Sequence, residues 1–144
     1  MKHFTAALVI CVCGLIGAVH AQDASDHKQP AVYVNIHKIG YFDESPEMKW
    51  ADVKDEFELT PIEDGIQFAF QITAPNYHFC RMKGTAIKKA THYEYREIVR
   101  GSECVLKIFV TDDSVRLEDE GLVCRTAHCG ARGGIDGARF TRKE

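Results

Sequence analysis

The chain has 144 residues, with 18 Lys and Arg against 21 Asp and Glu, a net charge of −3 and six cysteines. That length allows one domain around one core. The charge balance, with no uniformly basic face, excludes the electrostatic footprint of a nucleic-acid binder.

In chain order, Lys2 and His3 precede the apolar run AALVICVCGLIGAV, which ends at Val19-His20-Ala21 before Gln22. A run of this length is too short to span a bilayer. Small residues at −3 and −1 fit a signal peptidase site, so residues 1–21 are read as a signal peptide. Cys11 and Cys13 follow Ile10 and Val12, which are poor neighbours for a lipidated cysteine, so a soluble periplasmic or secreted protein is expected, without stable membrane insertion. Export removes one lysine and no acid, moving the net charge from −3 to −4.

Residues 22–30 (QDASDHKQP) form a polar, flexible leader, and residues 31–144 are read as a single β domain. Val32, Val34 and Ile36 alternate with Tyr33, Asn35 and His37, which predicts a strand with the aliphatic residues inward. Between Asp43 and Asp64 nine acids (Asp43, Glu44, Glu47, Asp52, Asp55, Glu56, Glu58, Glu63, Asp64) face only Lys49 and Lys54. Such a flank steers a cationic protein towards it. Within it Ser45, Pro46 and Glu47 read as a helix start, and Trp50 and Val53 as one face of a short helix over 46–55.

Period-two alternation returns at Phe57 and Leu59, and most clearly at Ile66, Phe68, Phe70 and Ile72. After the Pro75-Asn76 turn, Cys80, Met82, Gly84 and Ala86 share one face of a strand, with Arg81 and Lys83 on the other. Tyr93 and Tyr95 start the next strand. Cys104, Leu106, Ile108 and Val110 follow in phase, and Val115–Glu118 returns after the turn at 111–114. About seven short strands at this spacing predict an all-β fold, a small antiparallel barrel or sandwich with one short helix.

Cys80, Cys104, Cys124 and Cys129 remain after export, an even set that reads as two disulfides. Strand phase favours Cys80–Cys104, leaving Cys124–Cys129 to staple a four-residue loop. In the segment CRTAHCGARGGIDGARF that staple would present Arg125, His128, Arg132 and Asp136 as a binding loop, with glycines supplying unusual backbone angles. Cys124, His128 and Cys129, with His78 near Cys80, lack the paired spacing of structural zinc, so no metal or other cofactor is expected. Asp112, Asp113 and Asp119 lack the spacing of a calcium loop. Without a Gly-x-Ser-x-Gly elbow, and with His27, His37, His78, His92 and His128 scattered, the sequence offers no catalytic constellation and is not read as an enzyme.

Cys104-x-Leu106-x-Ile108, followed by Cys124, Cys129-Gly130-x-Arg132 and Asp136-Gly137-x-x-Phe140, resembles the ending of a group of small exported bacterial β-proteins. Phe79-Cys80, Gly84 and Ala86 extend the likeness, which covers about Ile66 to Lys143. A looser similarity is to periplasmic lysozyme inhibitors, without their Ser-Gly-x-x-Tyr loop. The resemblance implies a protein partner, a peptidoglycan hydrolase, neutralised by an inhibitor or immunity protein. The competing expectations are a carrier that holds a small ligand or metal inside the barrel, and a small envelope enzyme.

Overall fold

The structure is a computed structural model that describes residues 30–143. The expected signal peptide, residues 1–21, and all of the leader but Pro30 lie outside the described residues. Eight strands follow in order: β1 (Ala31–Tyr41), β2 (Lys49–Ile62), β3 (Gly65–Ala74), β4 (His78–Lys88), β5 (Tyr93–Val99), β6 (Ser102–Val110), β7 (Ser114–Glu120) and β8 (Arg139–Arg142). A short 3-10 turn, Pro75–Tyr77, links β3 to β4, and the helix α1 (Val123–His128) lies between β7 and β8. Each strand pairs antiparallel with the next, and β8 pairs with both β7 and β1, so the sheet closes on itself.

The alternating residues fill the interior. Phe57, Phe68, Phe70 and Phe140 pack with ring centroids 5.6–6.1 Å apart, and Tyr95 meets Phe68 edge-on at 5.5 Å. Around them Ile66, Leu106, Ile108, Val115, Leu117 and Ile135 are fully buried. Removing a fully buried aliphatic side chain here costs on the order of 2–5 kcal/mol, because neighbours cannot collapse into the gap.

Three expectations are corrected. Residues 46–55 are not helical: Lys49–Ile62 is one long strand, and the Ser45 and Glu47 helix-start signals serve the β1–β2 turn instead. There the Ser45 N–H donates to Asp43 Oδ1 (2.9 Å) and the Glu47 N–H to Ser45 Oγ (3.2 Å). Second, the phase of β1 is inverted. Tyr33 and Ile39 are buried, whereas Ile36 is 72 % exposed. The inward row at this end of the barrel is partly polar, with His37 Nε2 2.8 Å from the buried Asp55 carboxylate.

The third concerns the disulfides, which are Cys80–Cys129 and Cys104–Cys124 rather than Cys80–Cys104 and Cys124–Cys129. Cys80 on β4 and Cys104 on β6 both face inward, as their phase requires, but β5 stands between these strands. Strands two apart are separated by about 9.6 Å, beyond the reach of a disulfide. Cys124 and Cys129 lie five residues apart, at either end of α1, so each pairs outward, with Cα–Cα separations of 4.7 and 4.0 Å to Cys104 and Cys80.

β4 and β5 share only the pairs Ile87↔Glu94 and Lys88↔Tyr93, and beyond them the ladder parts. The chain at the end of α1 enters that seam. Cys129 bridges Cys80, and the Gly130 N–H donates to Phe79 O (2.9 Å). One disulfide thus ties α1 to β4 and the other ties it to β6.

Candidate functional site

The segment expected to be a stapled loop is instead a clasp. Leu122 enters α1 through a left-handed conformation (φ 59°). The buried Asp119 carboxylate caps the helix from β7, accepting the N–H groups of Cys124 (3.0 Å) and Arg125 (2.8 Å). Asp136 is held in turn by structure, its Oδ1 accepting the Asp119 N–H at 3.1 Å. The glycines act mainly by leaving room. A Cβ on Gly133 would lie 2.6 Å from Cys80 Sγ, and one on Gly130 would lie 2.8 Å from His78 Nδ1. Among Gly130, Gly133, Gly134 and Gly137, only Gly137 adopts a positive φ (76°).

The four expected contact residues do not converge. Arg125 is exposed beside Gly121, Leu122 and Thr126, and His128 bonds Glu97 of β5. Asp136 lies near Arg116, Glu118 and Arg139. Arg132 lines a groove of about 280 Å³ together with His37, Lys38, Ile39, Gly40, Phe42, Met48, Trp50 and Pro75.

This groove lies on the β1–β2 hairpin. Gly40 pairs with Trp50 across the ladder and forms the floor, since a Cβ there would meet Met48 Sδ at 3.0 Å and Trp50 Cη2 at 3.8 Å. Phe42, Met48 and Trp50 are 49 %, 52 % and 64 % exposed. The tip is anchored: the Phe42 N–H donates to Asn76 Oδ1 (2.9 Å), and the Tyr41 and Tyr77 rings lie 5.3 Å apart. Asp43, Glu44 and Glu47 sit in the same turn and Asp52 two residues beyond Trp50. The Lys49 ammonium beside Asp43 holds its carboxyl below the usual carboxylate range, aided by the Ser45 N–H. The patch is therefore apolar at its centre, with a charged rim where Asp43, Glu44, Glu47 and Asp52 outnumber Lys38, Lys49 and Arg132 by one.

Comparison with protein-family models, curated proteins and solved structures finds no match.

Two polar groups lie behind these surfaces. The Asp55 carboxylate, 2 % exposed, accepts the Thr73 N–H (2.7 Å) as well as bonding His37, which fixes the ring beneath the hairpin groove. In the seam, Tyr95 packs so closely on Gly84 that a Cβ there would be 2.5 Å from Tyr95 Cε2. Burial, with the Glu97 carboxylate nearby, pushes the Tyr95 phenol up from its ordinary value. A helix over 46–55 gives Met48 and Trp50 no shared wet face, and Phe42, ahead of that span, carries no pattern of its own. Read as a strand, the alternation Trp50, Asp52, Lys54 sets Trp50 on the wet face.

Proposed function

We propose that this chain is an exported binding protein that neutralises a basic cell-wall hydrolase, and that it holds its partner with the β1–β2 hairpin rather than with the C-terminal segment. The observation that carries this reading is the exposed Phe42–Met48–Trp50 groove with its charged, net acidic rim, bordered by Arg132. Large apolar side chains clustered on a surface mark interaction sites, and Trp and Arg are enriched among residues that dominate binding energy. The acids raise the encounter rate with a cationic protein, while the apolar centre supplies the short-range energy. The aromatic-filled interior favours recognition by the outer surface over carriage of a ligand inside.

The test is a pull-down and lysis assay with purified protein against a panel of basic peptidoglycan hydrolases, with Phe42→Ala, Trp50→Ala and Arg132→Ala beside the parent. One hydrolase is expected to be retained and inhibited. Trp50→Ala should weaken binding by about 30-fold, equivalent to roughly 2 kcal/mol at an interface centre. Added salt should slow association. If no hydrolase is inhibited, or if Trp50→Ala and Phe42→Ala inhibit as well as the parent, the reading fails.

A further inference from the structure

A second depression, about 560 Å³, crosses the outer face of β2, β3 and β4, and the hairpin proposal makes no use of it. It lies about 20 Å along β2 from Trp50, at roughly 3.4 Å per residue. Its floor is formed at Ala69 and Gln71 of β3. Glu56 and Glu58 stand on the β2 bank, Arg81 and Lys83 on the β4 bank, and His128 of α1 lines it as well. The register sets these groups in two rows, Glu58–Ala69–Lys83 and Glu56–Gln71–Arg81.

Opposite charges two strands apart commonly bridge over a small residue, yet here the banks stay separate. Glu56 pairs with its neighbour Lys54 (2.6 Å). The Arg81 Nε donates to Gln71 Oε1 (2.7 Å), and the guanidinium lies over the Phe79 ring at 4.4 Å. Among the described residues, Glu58 and Lys83 make no ion pair. His128 is held by Glu97, so the α1 side is fixed in place. The result is a groove with Glu58 and the Lys54-paired Glu56 on one bank, Arg81 and Lys83 on a strand about 9.6 Å away, and Ala69 and Gln71 as the floor between them.

The geometry points to a binding site for a short zwitterionic peptide, its free ammonium group on Glu58 and its free carboxylate on Arg81 and Lys83. Both the spacing and the volume suit two to four residues better than a single amino acid, whose charges are too close together to reach both banks. Arg81, already oriented by Gln71 and Phe79, offers a planar fork to the carboxylate, while Lys83 adds a point charge. Ala69 leaves the peptide backbone room to lie across β3.

Calorimetric titration of the purified protein with trialanine, N-acetyl-trialanine, trialanine amide and alanine tests this directly. Trialanine is expected to bind saturably below about 10 mM. Capping either end should weaken binding at least tenfold, and alanine should bind at least tenfold more weakly than trialanine. Glu58→Gln and Lys83→Met should each weaken trialanine binding at least tenfold without moving the thermal midpoint, since both side chains are exposed. No saturable binding, equal binding of either capped peptide, equal binding of alanine, or full binding by both variants would each overturn the proposal. The hairpin patch is untouched by these variants, so hydrolase inhibition by Glu58→Gln or Lys83→Met stays at the parent level whichever way the titration falls.

Discussion

Replacing cysteines in pairs separates the observed disulfide pairing from the one expected from strand phase by a large margin. The Cys104–Cys124 loop (sequence separation 20) is nested inside the Cys80–Cys129 loop (separation 49). Closing the inner loop contributes about 3 kcal/mol by the chain-entropy relation. With the inner loop closed, the outer disulfide constrains roughly 30 further residues and contributes about 3.7 kcal/mol. For a domain of this size 1 kcal/mol moves the midpoint by about 4 °C, so Cys104→Ala/Cys124→Ala should melt about 12 °C lower and Cys80→Ala/Cys129→Ala about 15 °C lower. Calorimetry gives the midpoints, and thiol titration of the denatured protein gives the pairing. Each of those doubles should contain no free thiol. Cys80→Ala/Cys104→Ala should contain two, because its remaining cysteines lie at opposite ends of α1. If that last double has no free thiol while Cys80→Ala/Cys129→Ala has two, the clasp described above is wrong.

Asp119→Ala should destabilise the protein by about 2 kcal/mol in urea titration, since it uncaps the buried Cys124 N–H and the partly buried Arg125 N–H, and Asn should recover part of the loss. Asp55→Ala leaves the Thr73 N–H and His37 unpaired and should cost about 2–3 kcal/mol, whereas Ile36→Thr on the wet face should change stability by less than about 0.5 kcal/mol. The raised Tyr95 phenol favours the folded state while protonated. That contribution is complete below about pH 10 and is lost as pH rises through the folded value, so phenolate absorbance should show a late-titrating component that Tyr95→Phe removes. Gly84→Ala, which drives a methyl group into the Tyr95 ring, should cost about 1–3 kcal/mol in the same urea assay.

The strands legible in the sequence were those with one wet face and one dry face. Ile66, Phe68, Phe70 and Ile72 on β3, and Cys104, Leu106 and Ile108 on β6, alternate cleanly and are buried as their phase requires. β1 misled because its inward row carries Tyr33 and His37 while its outward row carries Val32, Val34 and Ile36. β-branched residues favour a strand whichever way they point. The start of β2 misled because Ser, Pro and acidic residues stabilise turns by the same local hydrogen bonds that start helices. β8 has four residues with only Phe140 buried, too few to show a period. α1 is equally short, and its cap comes from Asp119 on another element, where no motif running along the chain would place it. The cysteines themselves were legible, but their partners depended on which strand stands between β4 and β6. The hairpin groove was hidden by the same helix reading, while the acidic flank around it was plain from composition.

The parted ladder between β4 and β5 matters beyond what the disulfides add to stability. A closed barrel has no free strand edges, and this one approaches that condition only because the Cys129–Gly130 segment lies along β4 where β5 has turned away. Reduction removes both covalent ties of α1, and wherever that segment lifts off, β4 and β5 expose unpaired edge beyond the pairs Ile87↔Glu94 and Lys88↔Tyr93. Such edges template pairing with further copies of the same chain. The clasp therefore sets the aggregation behaviour of the protein as well as its melting point, and a chain kept reduced is at greatest risk of joining its neighbours edge to edge.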